Sequence, residues 1–463
     1  MGVDRERLMG VLERAHKGPV CRENEWNTKV IPQTIADQAR KYGLQNTCDP
    51  DNPINQDDDL ADRFFQAGLD AAAEMGMLCT DTHRVIKFSK EEILSSLEQA
   101  PEEFWLGEGD QRVHFKHRRI EDPRPPIWIA PLSIAVTEDV FVPMVEGIAR
   151  LPEVDCMEGP SLETLWGEEI RSGSPYELLA GRYQADLMEE GIRRAGREGI
   201  GLYAVGSSPT EYGFLGGYGV AGGYRPDRDI VLILSPAGIR TSYEALFKLA
   251  QAFNCGAKHV YAGSWVMIGG YAGGPEGATI GCIACTLLLF TIFQSSNGAC
   301  FPFDLHYAGN CDRKAQWSLS VLFQALSRNT HLVTNSVLNQ VAGPCTKMLL
   351  YESAVGMMNL AVSGAGSCTG TRSAGGRLTN YLSPLEHKFA GEVFKKSAGM
   401  SRAQANEIAN KLLPKYENML RNPPDGKSFK ECYDVKKLEP VKEWQRIYEE
   451  VRDEVIQLGL PLA

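Results

Sequence analysis

From Pro123 onward the chain alternates between short apolar runs and longer stretches with helical spacing. The runs fall at 127–130, 154–157, 201–206, 230–234, 259–267, 300–306, 332–337 and 360–362. The helical stretches between them fall at 137–151, 174–197, 242–254, 279–293, 313–328 and 345–358. A short apolar run bounded by turn residues reads as a strand buried on both faces, and strands separated by helices pair in parallel. Eight such units favour a closed barrel over an open sheet. The expected fold is therefore α/β: a (β/α)8 TIM barrel over residues 123–400, with an N-terminal, mainly helical extension over 1–122 and C-terminal helices over 401–463 packed on the barrel.

The flanking segments carry their own signals. Helical spacing recurs at 5–15, 32–42, 60–77 and 90–99, the last opening on Ser89 as an N-cap, while 78–88 alternates like a strand or hairpin arm. After Gly399, Ser401 caps another helix and 441–458 is a charged amphipathic one. Inside the barrel region, 199–224 runs from an apolar strand into a segment where glycines interleave with Tyr212, Phe214, Tyr218 and Tyr224. Glycine freedom next to aromatic faces gives the expectation of a mobile lid over a small molecule.

Charge narrows the partners. A formal net charge of -11 and scattered Lys and Arg, with only His117, Arg118 and Arg119 in a run, argue against nucleic acid. The start of the chain reads as a polar amphipathic helix, and the apolar run 283–293 is too short to span a bilayer, so a cytoplasmic protein with no membrane partner is expected. Twelve cysteines without a disulfide rhythm agree with a reducing compartment. Cys282 and Cys285 form a C-x-x-C inside an apolar helix, which reads as core before it reads as metal or redox chemistry. No glycine-rich phosphate motif follows a strand, which counts against a nucleotide site.

In a barrel of this kind the reactive groups lie at the C-terminal strand ends. That rule selects Glu158, Tyr203, Ser207, Ser235, Ser264, Trp265, Asp304, His306, Asn335 and Ser336. Asp304 and His306 are the expected catalytic pair, since residues i and i+2 of a strand face the same way and a carboxylate fixes an imidazole for proton transfer. Tyr203, Tyr212, Tyr261 and Trp265 are the expected aromatic wall for an alkylammonium group, with Glu158 and Asn335 completing the substrate contacts.

Five strings then become recognisable: CTDTHR (79–84), SPYELLA (174–180), GGYAGG (269–274), AGPCTKM (342–348) and KSFKECYDVK (427–436). In this order and over nearly the whole chain they resemble the monomethylamine:corrinoid methyltransferases. The resemblance implies a (β/α)8 barrel, a homohexamer, and methyl transfer from a small methylated amine to the Co(I) of a separate corrinoid protein. It therefore implies no cofactor held tightly by this chain. Three signature positions depart: the pyrrolysine slot falls on Tyr203, or Gly206 in another register, an acidic position falls on Gly263, and a glutamine position on Val337. The expectation that follows is a family member without pyrrolysine acting on a quaternary or otherwise activated amine. Two alternatives stay beside it: a metal-assisted methyltransferase with His306 and Cys311 or Cys345 as ligands, and a non-catalytic amine-binding member.

Overall fold

In the computed structural model, residues 2–204 and 210–462 are described. Strand pairings among them run in a ring. Ile127–Ile129 is joined to 156–157 by a bridge from Ile129 to Cys156, and 156–157 to the next strand by Met157 to Leu202. Tyr203–Ala204 then pairs with Ile230–Leu234, Ile230–Leu234 with Val260–Ile268, and Val260–Ile268 with Asn297–Asp304. Gly298 bridges to Thr334, Asn335–Val337 pairs with Ser367–Thr369, and Ser367–Thr369 returns to Ile127–Ile129. Every link is parallel, and helices lie between the strands.

Alternation along each strand sorts residues into two sets. Ile129, Cys156, Tyr203, Leu232, Tyr261 and Val333 form one buried cluster inside the ring. Trp128, Met157, Ala204, Val231 and Ala262 belong to the larger core between strands and helices. An antiparallel hairpin, Glu103–Leu106 with Val113–Lys116, closes the ring at the N-terminal strand ends. Its Phe104 and Phe115 stack at 4.7 Å, and Phe115 reaches Tyr203 at 6.4 Å and Phe104 reaches His259 at 4.7 Å.

Several expectations are corrected. The run 360–362 is the end of the helix Lys347–Val362, and the eighth strand is Ser367–Thr369. The sixth strand is Asn297–Asp304, so His306 lies beyond it. The helix Pro275–Phe293 has 19 residues and is apolar enough to cross a membrane by length and composition, so 283–293 is only part of it. Burial explains its apolarity: every residue from Gly277 to Phe293 is buried in the fold, where it packs against the N-terminal helix Asp58–Met75. The 117–119 run is no basic patch either, because Arg118 is buried and donates to the carbonyls of Asp122, Arg124, Ala361 and Ala365.

The glycine-rich segment is packed. Thr210 caps the short helix Glu211–Gly217, and Phe214 stacks on Tyr218 at 5.0 Å. Its glycines let this helix approach Pro175–Arg194 backbone to backbone: a Cβ on Gly181 would stand 1.9 Å from Gly213 O, and one on Gly216 would stand 2.0 Å from Leu178 O. The lid expectation therefore gives way to close helix packing for 210–217, while Ser207 and Gly206 lie outside the described residues.

Gly181→Ala is expected to destabilise the protein by about 1–3 kcal/mol, since no side chain there can move aside from backbone. Gly10→Ala, in the helix Arg5–Lys17 with nothing within 4 Å of its Cβ, is expected to be neutral or stabilising by up to ~1 kcal/mol. Urea unfolding midpoints of the two variants check the contrast.

Candidate functional site

The inside of the ring has a floor and a mouth. At the floor, Tyr203 donates its hydroxyl to Asn297 Oδ1 at 2.9 Å. Asn297 Nδ2 in turn donates to Val333 O at 3.0 Å and to Ser367 Oγ at 3.4 Å. The Tyr261 ring meets Tyr203 edge-on at 5.7 Å. Burial raises both phenols well above their usual range, so they stay neutral hydrogen-bonding groups.

Above Cys156 on the same inward face stands Glu158, which is 3% exposed. Among the described residues its one hydrogen-bond donor is the Ser133 backbone N–H at 3.2 Å. Burial pushes its carboxyl up to about 8, against the smaller opposing pull of Ser133 and the Arg372 charge. Arg372 follows the last strand and acts on Glu158 through charge, with no hydrogen bond between them. Asn335 donates to Thr369 Oγ1 at 2.9 Å, while its Oδ1 is buried without a partner among the described residues.

Aromatic side chains line the mouth. Trp265 and Tyr261 share one face of their strand, and Phe301 and Phe303 lie opposite Trp265 and Met267 on the next. Trp265 stacks over Phe303 at 6.5 Å, and Phe301 tilts against Phe303 at 5.6 Å. Faces of this kind beside a buried carboxyl attract an alkylated cation.

Gly263 lies on the same inward face, and a Cβ there would meet Tyr261 Oη at 2.7 Å. The phenol thus uses the space a side chain at 263 would need. Val337 also points inward, opposite Thr369.

Glu158, Tyr203, Tyr261, Trp265 and Asn335 all lie on the inward face of the ring. The structure leaves Asp304, His306 and Tyr212 apart from them. His306 Nδ1 does bond Asp304 Oδ1 at 2.9 Å, but Asp304 shares the outward parity of Cys300 and Pro302, and the His306 side chain is 58% exposed. The pair closes a turn on the rim, where Asp304 Oδ1 also accepts from His306 N at 2.8 Å. Tyr212 is exposed on the short helix 211–217. Of the serines, Ser264 donates to Pro236 O, and Ser336 lies on the outward face of its strand. Cys311 is buried against Asn339 O, away from the exposed His306, and no three His, Cys, Asp or Glu gather as a metal site among the described residues.

Sequence reasoning missed Asn297, Phe301 and Arg372. The first preceded the expected start of its strand, the second lay inside that strand without being singled out, and the third lay in the loop of a strand placed too early. A cleft of about 850 Å³ also exists between the hairpin and the first helix, lined by Asp4, Trp105, Arg112 and His259. It opens at the N-terminal strand ends, the face where closed α/β sheets carry stability, so the mouth is the stronger candidate.

The sequence matches the profile of the family described as "Monomethylamine methyltransferase MtmB" over residues 7–460. The chain belongs to this family. It is 29% identical to monomethylamine methyltransferase MtmB of Methanosarcina mazei and 30% identical to MtmB1 of Methanosarcina acetivorans, each over 449 residues and 97% of both chains. Its structure superposes on the crystal structure of Methanosarcina barkeri MtmB with a TM-score of 0.92, at 28% identity and 98% coverage of both chains. A second crystal structure, a hydroxylamine complex of MtmB, matches equally, with a TM-score of 0.92. The chain is accordingly a methyltransferase of the methylamine type.

Glu158 makes a pH prediction. Its folded-state pKa, about 8, lies above the unfolded value near 4.5, so folding favours the protonated form. The stability is full below the unfolded value and is lost as pH rises towards about 8. Glu158→Gln is expected to remove this component and to gain on the wild type as pH rises through that window. Urea midpoints across the window check it, and parallel curves for the two proteins would contradict the assignment.

Proposed function

We propose that the ring is a (β/α)8 TIM barrel whose mouth binds a quaternary or otherwise activated small methylated amine. Its methyl group passes to the Co(I) of a partner corrinoid protein, without pyrrolysine. The observation that carries this reading is the inward stack of Trp265 on Phe303 in a ring that also holds the buried Glu158. A quaternary nitrogen already bears positive charge and has no N–H to manage. Cobalt attacks the methyl carbon, the C–N pair stays on nitrogen, and a neutral amine leaves. Such a donor needs orientation and a cation-attracting wall, which this chain's residues supply. Near neutral pH Glu158 sits close to its midpoint, and a cation bound beside it favours the carboxylate.

The rim suits a docked carrier protein. In the loop 269–274 Tyr271 is the one large side chain, it is 53% exposed, and Leu305, beside Gly269, is 53% exposed. On this reading the corrinoid arrives with its carrier, and the chain itself holds no tightly bound cofactor. Twelve free cysteines fit a reducing cytoplasm.

Exposed apolar residues also support a homo-oligomer, a hexamer by family likeness. Tyr176, Leu178 and Leu179 lie exposed on the helix Pro175–Arg194, and Tyr243, Phe247 and Phe253 on Tyr243–Asn254. Phe247→Glu is expected to shift the light-scattering mass to a smaller species. An unchanged mass would remove this helix from the contact.

An anaerobic spectral assay tests the transfer, with the purified protein, a reduced corrinoid carrier protein, and primary amines, quaternary ammonium compounds and methoxy compounds as donors. Loss of Co(I) absorbance with a quaternary donor is the expected result, and Trp265→Ala is expected to lower kcat/KM about tenfold. Turnover with methylamine alone would overturn the quaternary assignment, and unchanged affinity in Trp265→Ala would overturn the aromatic wall.

A further inference from the structure

Among the described residues the guanidinium of Arg372, which is partly buried, has fewer partners than those of the fully buried Arg118 and Arg228. Arg118 gives four hydrogen bonds to backbone carbonyls, and Arg228 is paired with Asp229 and Glu189. Arg372 Nη1 has one acceptor, the neutral amide oxygen of Asn339, at 3.5 Å, and its Nε is buried with none among the described residues. Five fixed donors around one charge cost free energy when desolvated without acceptors. Burial accordingly lowers this group's pKa, and the charge of Glu158 opposes the shift.

The loop holds this side chain in place. The Arg372 backbone N–H donates to Gln340 Oε1 at 3.1 Å, Ala374 N to Ala342 O at 2.8 Å, and Gly375 N to Gln340 O at 2.8 Å. Ala374, Gly375 and Gly376 then follow with φ of 52°, 62° and 68°, a left-handed turn that folds the chain back on the arginine. A Cβ on Gly376 would stand 2.4 Å from Nε and 2.9 Å from Cζ, so the guanidinium lies against this glycine. Three residues past the strand Ser367–Thr369, it belongs to the C-terminal strand ends where the proposed site opens.

We infer that Arg372 is a carboxylate-binding residue of the substrate site, and that the methyl donor is a zwitterion, a small acid carrying an N-methylated ammonium group. A planar guanidinium with free donors matches a carboxylate through paired, charge-assisted hydrogen bonds. At the other end of such a molecule the ammonium group meets Glu158 and the aromatic faces of Trp265 and Phe303. Each charge of the ligand then answers one group left short of partners among the described residues. This inference rests on the proposed function and names its substrate class.

Calorimetry with the full-length protein tests it. The probes are trimethylammonio carboxylates of increasing chain length, each paired with the trimethylammonio alcohol of the same length, and tetramethylammonium. One carboxylate is expected to bind at least about tenfold more tightly than its alcohol, the usual worth of a charge-assisted hydrogen bond. Arg372→Gln is expected to abolish that preference while leaving tetramethylammonium binding unchanged. If no carboxylate binds better than its alcohol, the carboxylate subsite is wrong and the quaternary-amine reading stands. If no cation binds at all, both fall. The wild-type series decides the matter even if Arg372→Gln fails to fold.

Discussion

Closing parallel strands into a ring sends every second side chain into a space walled off from bulk water. There each polar group needs an internal partner or a ligand. The two ends of this ring differ in how far that demand is met. At the floor, Tyr203, Asn297, Val333 and Ser367 satisfy one another, and the hairpin with Phe104 and Phe115 seals them off. Towards the mouth the demand is only partly met: among the described residues Glu158 has one donor, and Asn335 Oδ1, Thr371 Oγ1 and Arg372 Nε have no partner. The floor is therefore self-sufficient, and the proposed ligand would complete the mouth.

The replaced signature positions make sense on the same face. Tyr203, Gly263 and Val337, the positions where the resemblance implied departures, all point into the ring, where the proposed substrate would sit. They are also coupled: Gly263 has no side chain, and the Tyr261 phenol takes the room one would need. Restoring a carboxylate at 263 would require the phenol to move. The acidic group inside the ring is instead Glu158, carried by a different strand.

How much was legible in the sequence depended on how apolar each strand is. The run 230–234 coincides with its strand because five apolar residues in a row have no competing explanation. Ser367–Thr369 has no such run, and the apolar residues just before it complete a helix, so the last strand was placed there. Because strand ends locate loops, that displacement also hid Arg372. The hairpin 103–116 went unread since its two arms have only four residues each. Pairing Asp304 with His306 was sound as local geometry, and the two do bond. Deciding whether they face inward needs the register against Tyr261, which only the neighbouring strand supplies. Glycines in 210–217 carry the same lesson, since freedom at a turn and room for a neighbouring helix look alike in one sequence.

Electrostatics connects the pocket to its chemistry. Burial raises the Glu158 carboxyl and lowers the Arg372 guanidinium, so each resists its own charged form, and their mutual attraction offsets this only in part. A ligand with one positive charge would favour the carboxylate but leave the guanidinium without acceptors. A ligand bearing both charges stabilises both groups and fixes its own orientation, because reversing it would set like charges together. Orientation is what an in-line displacement at a methyl group requires, since the carbon must face the incoming nucleophile with the leaving nitrogen behind it. Opposed charges on two different strand ends therefore provide by position what a reactive side chain would provide by bonding.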